Sequence, residues 1–134
     1  MRADSAGRHS ILYAAKSFVV LWIGFDLQAE IEAGDDSNCT ALHYAAYYGK
    51  EAVAAQLLQA GSSVNAVDNV YYQTPLHIAS LNGKSSIANL LLQANASPTA
   101  VNKNGRTPAQ SAKKRGHGDL AAMLLEAEQA AALK

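Results

Sequence analysis

Residues 74–83 read Thr74-Pro75-Leu76-His77-Ile78-Ala79-Ser80-Leu81-Asn82-Gly83, and they carry the start and end signals of a complete short helix. Thr74 is a good N-cap, because its hydroxyl can accept a hydrogen bond from a free backbone N–H of the first turn. Pro75 suits the first helical position, where no N–H is needed. Gly83 can end the helix because glycine adopts the left-handed conformation without a Cβ penalty. A helix of about two turns is unstable alone, so this one needs neighbouring copies.

The chain contains such copies on both sides. The preceding copy is Thr40-Ala41-Leu42-His43-Tyr44-Ala45-Ala46-Tyr47-Tyr48-Gly49, and the following copy is Thr107-Pro108-Ala109-Gln110-Ser111-Ala112-Lys113-Lys114-Arg115-Gly116. A second apolar block follows each copy and ends in a Leu-Gln-Ala or Leu-Glu-Ala triplet, which starts at Leu58, Leu92 and Leu125. Three copies at nearly equal spacing predict a stack of similar units, because no single unit can bury its apolar face.

These motifs resemble the ankyrin repeat family, whose signature runs D-x-x-G-x-T-P-L-H-x-A-A-x-x-G and then V-x-x-L-L-x-x-G-A-x-x-N-A. The resemblance implies an all-α fold, a solenoid of stacked helix-turn-helix units with protruding β-hairpin loops. The expected helix pairs are Ala41–Tyr48 with Glu51–Gln59, Pro75–Asn82 with Ser85–Gln93, and Pro108–Arg115 with Asp119–Ala127. The expected hairpins span Asp35–Cys39, Asp68–Gln73 and Asn102–Arg106.

The N-terminal part of the chain, up to position 35, contains a degraded fourth copy. Asp4, Gly7, Ala14 and Ala15 match the family pattern. The alanine landmarks at positions 14, 45, 79 and 112 have the same spacings as the Leu-x-Ala landmarks at 27, 58, 92 and 125. Phe18 stands where the other copies have glycine. We therefore expect one ankyrin-repeat domain over residues 1–134, with repeats at about 4–34, 35–67, 68–101 and 102–134.

Residues 18–25 (FVVLWIGF) put apolar side chains at positions that are normally solvated. One interpretation is a secretory signal, although Asp4, Lys16 and Asp26 interrupt it and the repeat runs through it. A second interpretation is a membrane span, but a span needs about 20 apolar residues and this run is far shorter. A third interpretation is a terminal repeat whose apolar face is covered by another chain, by a second copy of this chain, or by a further repeat.

Composition and residue chemistry argue against an enzyme. The chain has 134 residues, 49% of them apolar, which fits one domain, and its 11 basic and 11 acidic residues give no net charge to attract nucleic acid or anionic membrane. The single cysteine, Cys39, excludes an intramolecular disulfide and is compatible with a cytoplasmic or nuclear location. His43 and His77 belong to the repeat motif, where the resemblance implies that they hold the turn together. No paired acid and base, nucleophile constellation or zinc spacing is present, so we expect no cofactor, metal or small-molecule substrate.

The resemblance places partner binding on the hairpin tips and on the exposed side of the inner helices, which line a concave groove. The corresponding positions of this chain are Ser37, Cys39, Tyr47, Tyr48, Tyr71, Tyr72, Gln73, Leu81, Asn82, Lys103, Asn104, Arg106, Lys114 and Arg115. His117 is expected to be a surface residue.

The chemistry of these positions changes along the predicted groove. Four of the six tyrosines lie among them, and tyrosine offers a large contact area at low entropic cost. The end of the predicted groove that belongs to the last repeat is basic. This favours a protein or peptide partner with an apolar anchor and an acidic segment. The alternatives are packed tyrosines beside a solvated basic cap, a nucleic-acid binder that uses Lys113–Arg115, and a membrane-tethered or secreted protein that uses residues 18–25.

Overall fold

The computed structural model describes residues 37–132, and this part of the chain forms six helices. They are α1 (Ala41–Tyr48), α2 (Glu51–Gln59), α3 (Pro75–Leu81), α4 (Ser85–Gln93), α5 (Pro108–Lys114) and α6 (Gly118–Ala132). The predicted all-α fold is confirmed, and so are the bounds of α1, α2 and α4. The degraded fourth copy, the apolar run at 18–25 and the start of the first predicted hairpin lie outside the described residues.

The inner helices α1, α3 and α5 begin at the threonines that the sequence marked as caps. Thr40, Thr74 and Thr107 have extended backbone angles, and each side chain accepts a hydrogen bond from the backbone N–H of the third residue after it. The side chain of that third residue accepts a hydrogen bond from the N–H of the cap, which completes a capping box. The third residue is His43, His77 or Gln110, so glutamine takes the role of histidine in the last repeat.

Two inner helices end one position earlier than predicted. Asn82 and Arg115 are the C-caps of α3 and α5, with ψ values of 6° and 5°, outside the helical range. The glycine that follows each cap then turns the chain in the left-handed conformation, with φ of 68° at Gly83 and 83° at Gly116. Helix α6 extends beyond its predicted end at position 127, because positions 128–132 contain only glutamate, glutamine and alanine, all good helix formers.

The helices form two layers. Helix α3 packs against α1 on one side and α5 on the other, and α2 packs against α4 in the second layer. Leucines 42, 76, 91 and 124 are completely buried in the core. Ala45, Ala79 and Ala112 occupy one equivalent position on the three inner helices and are also completely buried. Their small side chains let neighbouring inner helices approach closely, which brings successive repeats side by side.

The connectors at 68–73 and 102–106 are tight loops, and the part of the chain that is described contains no β-strand. One backbone hydrogen bond closes each loop, from Asp68 N to Gln73 O (3.2 Å) and from Asn102 N to Arg106 O (3.0 Å). Side chains take the place of the backbone hydrogen bonds that would join the two strands of a hairpin. The Asp68 carboxylate accepts from the backbone N–H groups at positions 70, 71, 72 and 73. Asn102 Oδ1 accepts from those at 104 and 106. The predicted loops are therefore present without their strands.

Candidate protein-interaction groove

Loops of successive repeats are hydrogen-bonded to one another and form one wall of a groove. Asn69 N donates to Ser37 O (3.0 Å), and Lys103 N donates to Tyr71 O (2.8 Å). The inner helices form the other wall. These hydrogen bonds hold the loop tips of three successive repeats side by side.

The motif histidines fix the ends of these loops. His43 Nδ1 accepts from Thr40 N (3.1 Å), which leaves Nε2 to donate to the carbonyl oxygen of Gln73 in the next repeat (2.9 Å). His77 makes the same pair of contacts with Thr74 N (3.2 Å) and with the carbonyl oxygen of Arg106 (2.9 Å). The predicted structural role of these histidines is confirmed. They also hold two groove residues, Gln73 and Arg106, in place.

Burial lowers the pKa of His77 below its ordinary value of 6.5. The main cause is desolvation, which penalises the imidazolium, while the hydrogen bond to the carbonyl of Arg106 acts in the opposite direction. The neutral ring also fits the geometry, because Nδ1 must keep a lone pair to accept from Thr74 N. His77 is thus a neutral structural residue near neutral pH, and both of its ring nitrogens are occupied by hydrogen bonds.

One half of the groove is an apolar pocket of about 460 Å³. Ile78 lies at its floor, on the groove side of α3, and Val70 belongs to the loop wall. The pocket also contains Asp68, but both oxygens of that carboxylate already accept backbone N–H groups. The lining residues are Ser37, Cys39, Tyr47, Asp68, Val70, Tyr71, Gln73, Ile78, Leu81, Asn82 and Arg115.

Tyrosines of α1 form a cluster at the edge of the apolar pocket. The rings of Tyr47 and Tyr48 meet edge to face, with centroids 4.8 Å apart, and Tyr44 stacks on Tyr48 at 6.4 Å. Tyr47 and Tyr48 are nevertheless 53% and 45% exposed. The ring contacts orient the cluster, and about half of each side chain stays open to solvent.

The other half of the groove is a basic pocket of about 380 Å³. Three cationic side chains line it, and none of them forms an ion pair within the range 37–132. No carboxylate is among the lining residues, which are Tyr71, Gln73, Leu81, Asn102, Asn104, Arg106, Ser111, Lys114 and Arg115. The two pockets share Tyr71, Gln73, Leu81 and Arg115, so they are adjoining parts of one groove.

The structure brings eleven of the fourteen predicted positions together in these two pockets: Ser37, Cys39, Tyr47, Tyr71, Gln73, Leu81, Asn82, Asn104, Arg106, Lys114 and Arg115. Tyr48, Tyr72 and Lys103 are exposed beside the pockets and line neither of them. The sequence prediction omitted the floor residues Ile78 and Ser111. A signal for them existed, because each directly follows the third residue of a capping box and so occupies the same position of its repeat.

Tyr72 has a backbone conformation that is unfavourable for tyrosine. Its φ is 55°, in the left-handed region, and the equivalent position of the next repeat is Gly105, with φ of 73°. A non-glycine residue in this region carries steric strain between Cβ and the following carbonyl. The side chain of Tyr72 is 51% exposed, so no burial offsets the strain.

The prediction that His117 is a surface residue is wrong. His117 is half-buried, and its Nε2 donates to the carbonyl oxygen of Leu81 in the preceding repeat (3.1 Å). The ring lies over Gly83, where an added Cβ would come within 2.7 Å of His117 Cε1. Because this contact joins two repeats, it depends on the stacking geometry and was not visible in the local sequence.

A comparison with protein-family models decides the identity of this fold. The model for ankyrin repeats, in three copies, matches residues 42–133, which is more than half of the chain. The chain belongs to the ankyrin repeat family. Ankyrin repeats are generally protein–protein interaction modules, and the groove described above is formed by their loops and inner helices. No curated protein matches the chain in a sequence comparison.

The described part of this ankyrin repeat structure contains neither a cluster of metal ligands nor a membrane-spanning helix. Between positions 37 and 132, no three His, Cys, Asp or Glu side chains lie where they could hold a metal ion. None of the helices described is long and apolar enough to cross a membrane. In the basic run at 113–115, Lys114 and Arg115 line the basic pocket, while Lys113 is exposed and lines neither pocket, so the run is divided between two surfaces.

Proposed function

We propose that this ankyrin repeat chain binds a partner protein or peptide in the groove, with an apolar anchor in the apolar pocket and an acidic segment in the basic pocket. The observation that carries the proposal is the contact between the two pockets, which share four lining residues but differ in chemistry. A short extended segment can occupy both at once. The partner would be met in the cytoplasm or nucleus, and the chain would act as a scaffold without catalysing a reaction.

The apolar half supports an anchored partner. Tyr47 and Tyr71 are each more than half exposed and stand on opposite walls, one on α1 and one on the loop. Ile78 provides an apolar floor between them. Aromatic walls around an apolar floor are typical of the centre of a protein interface, where a buried side chain of the partner supplies most of the affinity.

The charge of the basic half supports an acidic segment. Arg106, Lys114 and Arg115 have no carboxylate partner within the described range. Opposite charges on a partner would speed encounter and fix the direction in which the segment lies. Such contacts are partly solvated, and their contribution falls as salt screens them.

Affinity capture from a lysate of the source tests the apolar half. The baits are the wild-type chain, a Tyr47→Ala/Tyr71→Ala variant, and a Val101→Ala/Leu125→Ala control that removes exposed apolar side chains outside both pockets. The proposal predicts a protein that the wild type and the control retain and that the tyrosine variant loses. Equal capture by all three baits would contradict it and would direct attention to residues 18–25.

Salt dependence tests the basic half once a partner is identified. A Lys114→Gln/Arg115→Gln variant should bind that partner more weakly at low salt and should show a shallower loss of affinity as salt rises. Unchanged affinity and an unchanged salt slope would remove the acidic segment from the proposal and leave the apolar anchor standing.

A further inference from the structure

The basic pocket differs from the apolar pocket in having a polar residue at its floor. Its floor residue is Ser111, which stands where the apolar pocket has Ile78. Ser111 is 1% exposed, and its Oγ makes no hydrogen bond within the described part of the chain. A buried hydroxyl is normally paired, because a buried polar group without a partner destabilises the folded state. The hydroxyl of Ser111 therefore has an unused donor and acceptor, buried on a residue that lines the pocket.

Another buried serine of this chain shows that a hydroxyl in an inner helix can donate a hydrogen bond to the carbonyl oxygen four residues earlier. Ser80 is also buried in an inner helix, and its Oγ donates to the carbonyl oxygen of Leu76 at 2.6 Å. Ser111 does not make the corresponding bond to Thr107. Ser111 lines the same pocket as Arg106, Lys114 and Arg115.

We propose that the basic pocket is a phosphoryl site, which takes a phosphorylated serine or threonine of the partner peptide, with Ser111 donating from the floor and Arg106, Lys114 and Arg115 from the rim. This inference rests on the proposed function, because it specifies the acidic group that enters the groove. It adds a requirement for phosphorylation, and so a means of regulating the interaction.

The charge of the site favours a phosphoryl group over a carboxylate. Among the described residues, the pocket is lined by three cations and by no carboxylate. A phosphorylated side chain carries a charge of about −1.5 to −2 at neutral pH and three acceptor oxygens, whereas a glutamate carries one charge and two oxygens. Arginine is also the side chain whose planar fork matches phosphate oxygens best.

Neutral donors complete the pocket. Asn102 uses its Oδ1 to accept from the N–H groups at positions 104 and 106, which leaves its NH₂ group as a donor. Gln73 and Asn104 also line the pocket with side-chain amides. The backbone of Arg106 is held by His77, so the backbone position of one rim cation is fixed before any ligand arrives.

Nuclear magnetic resonance titration of the full chain tests the site without a known partner. The probes are N-acetylated and amidated phosphoserine, glutamate and serine at equal ionic strength, and the signals are the backbone amides of residues 102–115 and the side-chain N–H groups of the arginines. Phosphoserine should shift the amides near Ser111 at concentrations at least about tenfold lower than glutamate does. Serine should shift none of them.

Matched variants separate the pocket from general charge. Arg115→Gln should weaken phosphoserine binding about tenfold, which is the effect of losing one charge-assisted hydrogen bond. Lys113→Gln removes one positive charge outside the pocket and should leave phosphoserine binding unchanged. Ser111→Ala should weaken binding and at the same time raise the melting temperature, because it removes an unpaired buried hydroxyl. A purely structural serine would give the opposite change in melting temperature.

Several outcomes would overturn the inference. They are an equal response to phosphoserine and glutamate, an equal loss in the Lys113 and Arg115 variants, or tighter binding of a single-stranded oligonucleotide through the same amides. None of these would contradict the proposed function, since a partner captured through Tyr47 and Tyr71 would still occupy the groove. Conversely, equal capture by all three baits with an intact phosphoserine response would contradict the proposed function and leave the phosphoryl site standing.

Discussion

At the scale of single residues, Tyr72 is the position where backbone preference and sequence conflict. The equivalent positions of the three loops are Asn38, Tyr72 and Gly105, and all are in the left-handed region, with φ of 60°, 55° and 73°. Glycine adopts this conformation freely and asparagine tolerates it, whereas a bulky side chain does not. The conformation of Tyr72 is imposed by the loop, in which Asp68 Oδ1 accepts from the N–H of Tyr72 at 3.1 Å.

Replacing Tyr72 by glycine should therefore stabilise the protein. Relief of the strain contributes about 1–2 kcal/mol, and the greater freedom of glycine in the unfolded chain offsets about 0.5–1 kcal/mol of it. Urea unfolding of Tyr72→Gly should show a free energy of unfolding higher by up to about 1.5 kcal/mol. Tyr72→Phe keeps the strained backbone and should match the wild type. A Tyr72→Gly protein less stable than Tyr72→Phe would contradict this account.

His77 should make the stability depend on pH. Its pKa is lowered in the folded protein by burial, so the unfolded chain binds a proton more readily. The contribution of His77 to stability is therefore complete above the unfolded pKa of 6.5 and is lost as the pH falls below it toward the folded pKa. Urea unfolding at pH 7.5 and at pH 5.5 should show the lower stability at pH 5.5.

A glutamine variant isolates this effect. His77→Gln keeps an acceptor for Thr74 N, as Gln110 does for Thr107 N in the third repeat at 2.9 Å, and cannot titrate. The difference in unfolding free energy between the two pH values should be smaller in the variant than in the wild type. An equal difference in both proteins would show that other groups cause the pH dependence.

At the scale of elements, the loops depend on one polar side chain each. Asp68 is 4% exposed and accepts from four backbone N–H groups, where a hairpin would have used a strand partner. Asn102 has the same role in the next loop with one amide oxygen. These side chains hold Tyr71 and Arg106 at the wall of the groove.

The loop at 68–73 should tolerate asparagine better than alanine. Asp68→Ala leaves backbone N–H groups unpaired and should lower the free energy of unfolding by about 1–3 kcal/mol. Asp68→Asn retains one acceptor oxygen, as in Asn102, and should lose less. Thermal unfolding of the three proteins measures the order. Equal stability of the alanine and asparagine variants would show that the carboxylate is not what holds the loop.

At the scale of the whole molecule, the repeats are joined by contacts between equivalent positions. Lys84 lies over Gly49 and His117 lies over Gly83, each one repeat further along. Together with the histidine-to-carbonyl bonds at positions 73 and 106, these contacts tie each repeat to the next along the groove. A change at one such position therefore affects two repeats.

Comparison of Gly83→Ala with Gly116→Ala should separate the contact between repeats from local backbone strain. Both glycines have positive φ, 68° and 83°, so each alanine variant should lose about 1 kcal/mol to strain. At Gly116 no atom of residues 37–132 lies within 4 Å of the added Cβ, while at Gly83 the ring of His117 must move. Urea unfolding should show a larger loss for Gly83→Ala. Equal losses would mean that His117 shifts freely and does not join the repeats.

Much of this fold could be predicted from the sequence because its signals are local. Thr74 and His77 lie in the same helical turn, and the hydrogen bonds of the cap they form join residues of a single repeat. The position of the loops and most of the groove residues followed from the family pattern. The family pattern predicted hairpins, and the loop at 68–73 has no strands because the Asp68 carboxylate accepts from four of its backbone N–H groups, which the pattern does not show.

The sequence by itself determined the spacing of the repeats, the helix starts, the alanine positions and the side of each helix that faces the groove, since these depend on contacts within one repeat. The tertiary structure alone decided that Ile78 and Ser111 form the floors of two adjoining pockets and that His117 covers Gly83. It also decided that the loop of Tyr72 is bonded to the loops on either side through Asn69 and Tyr71. The physical reason is that each of these features joins groups from different repeats, whose separation in space is set by how closely the buried alanines let the repeats stack.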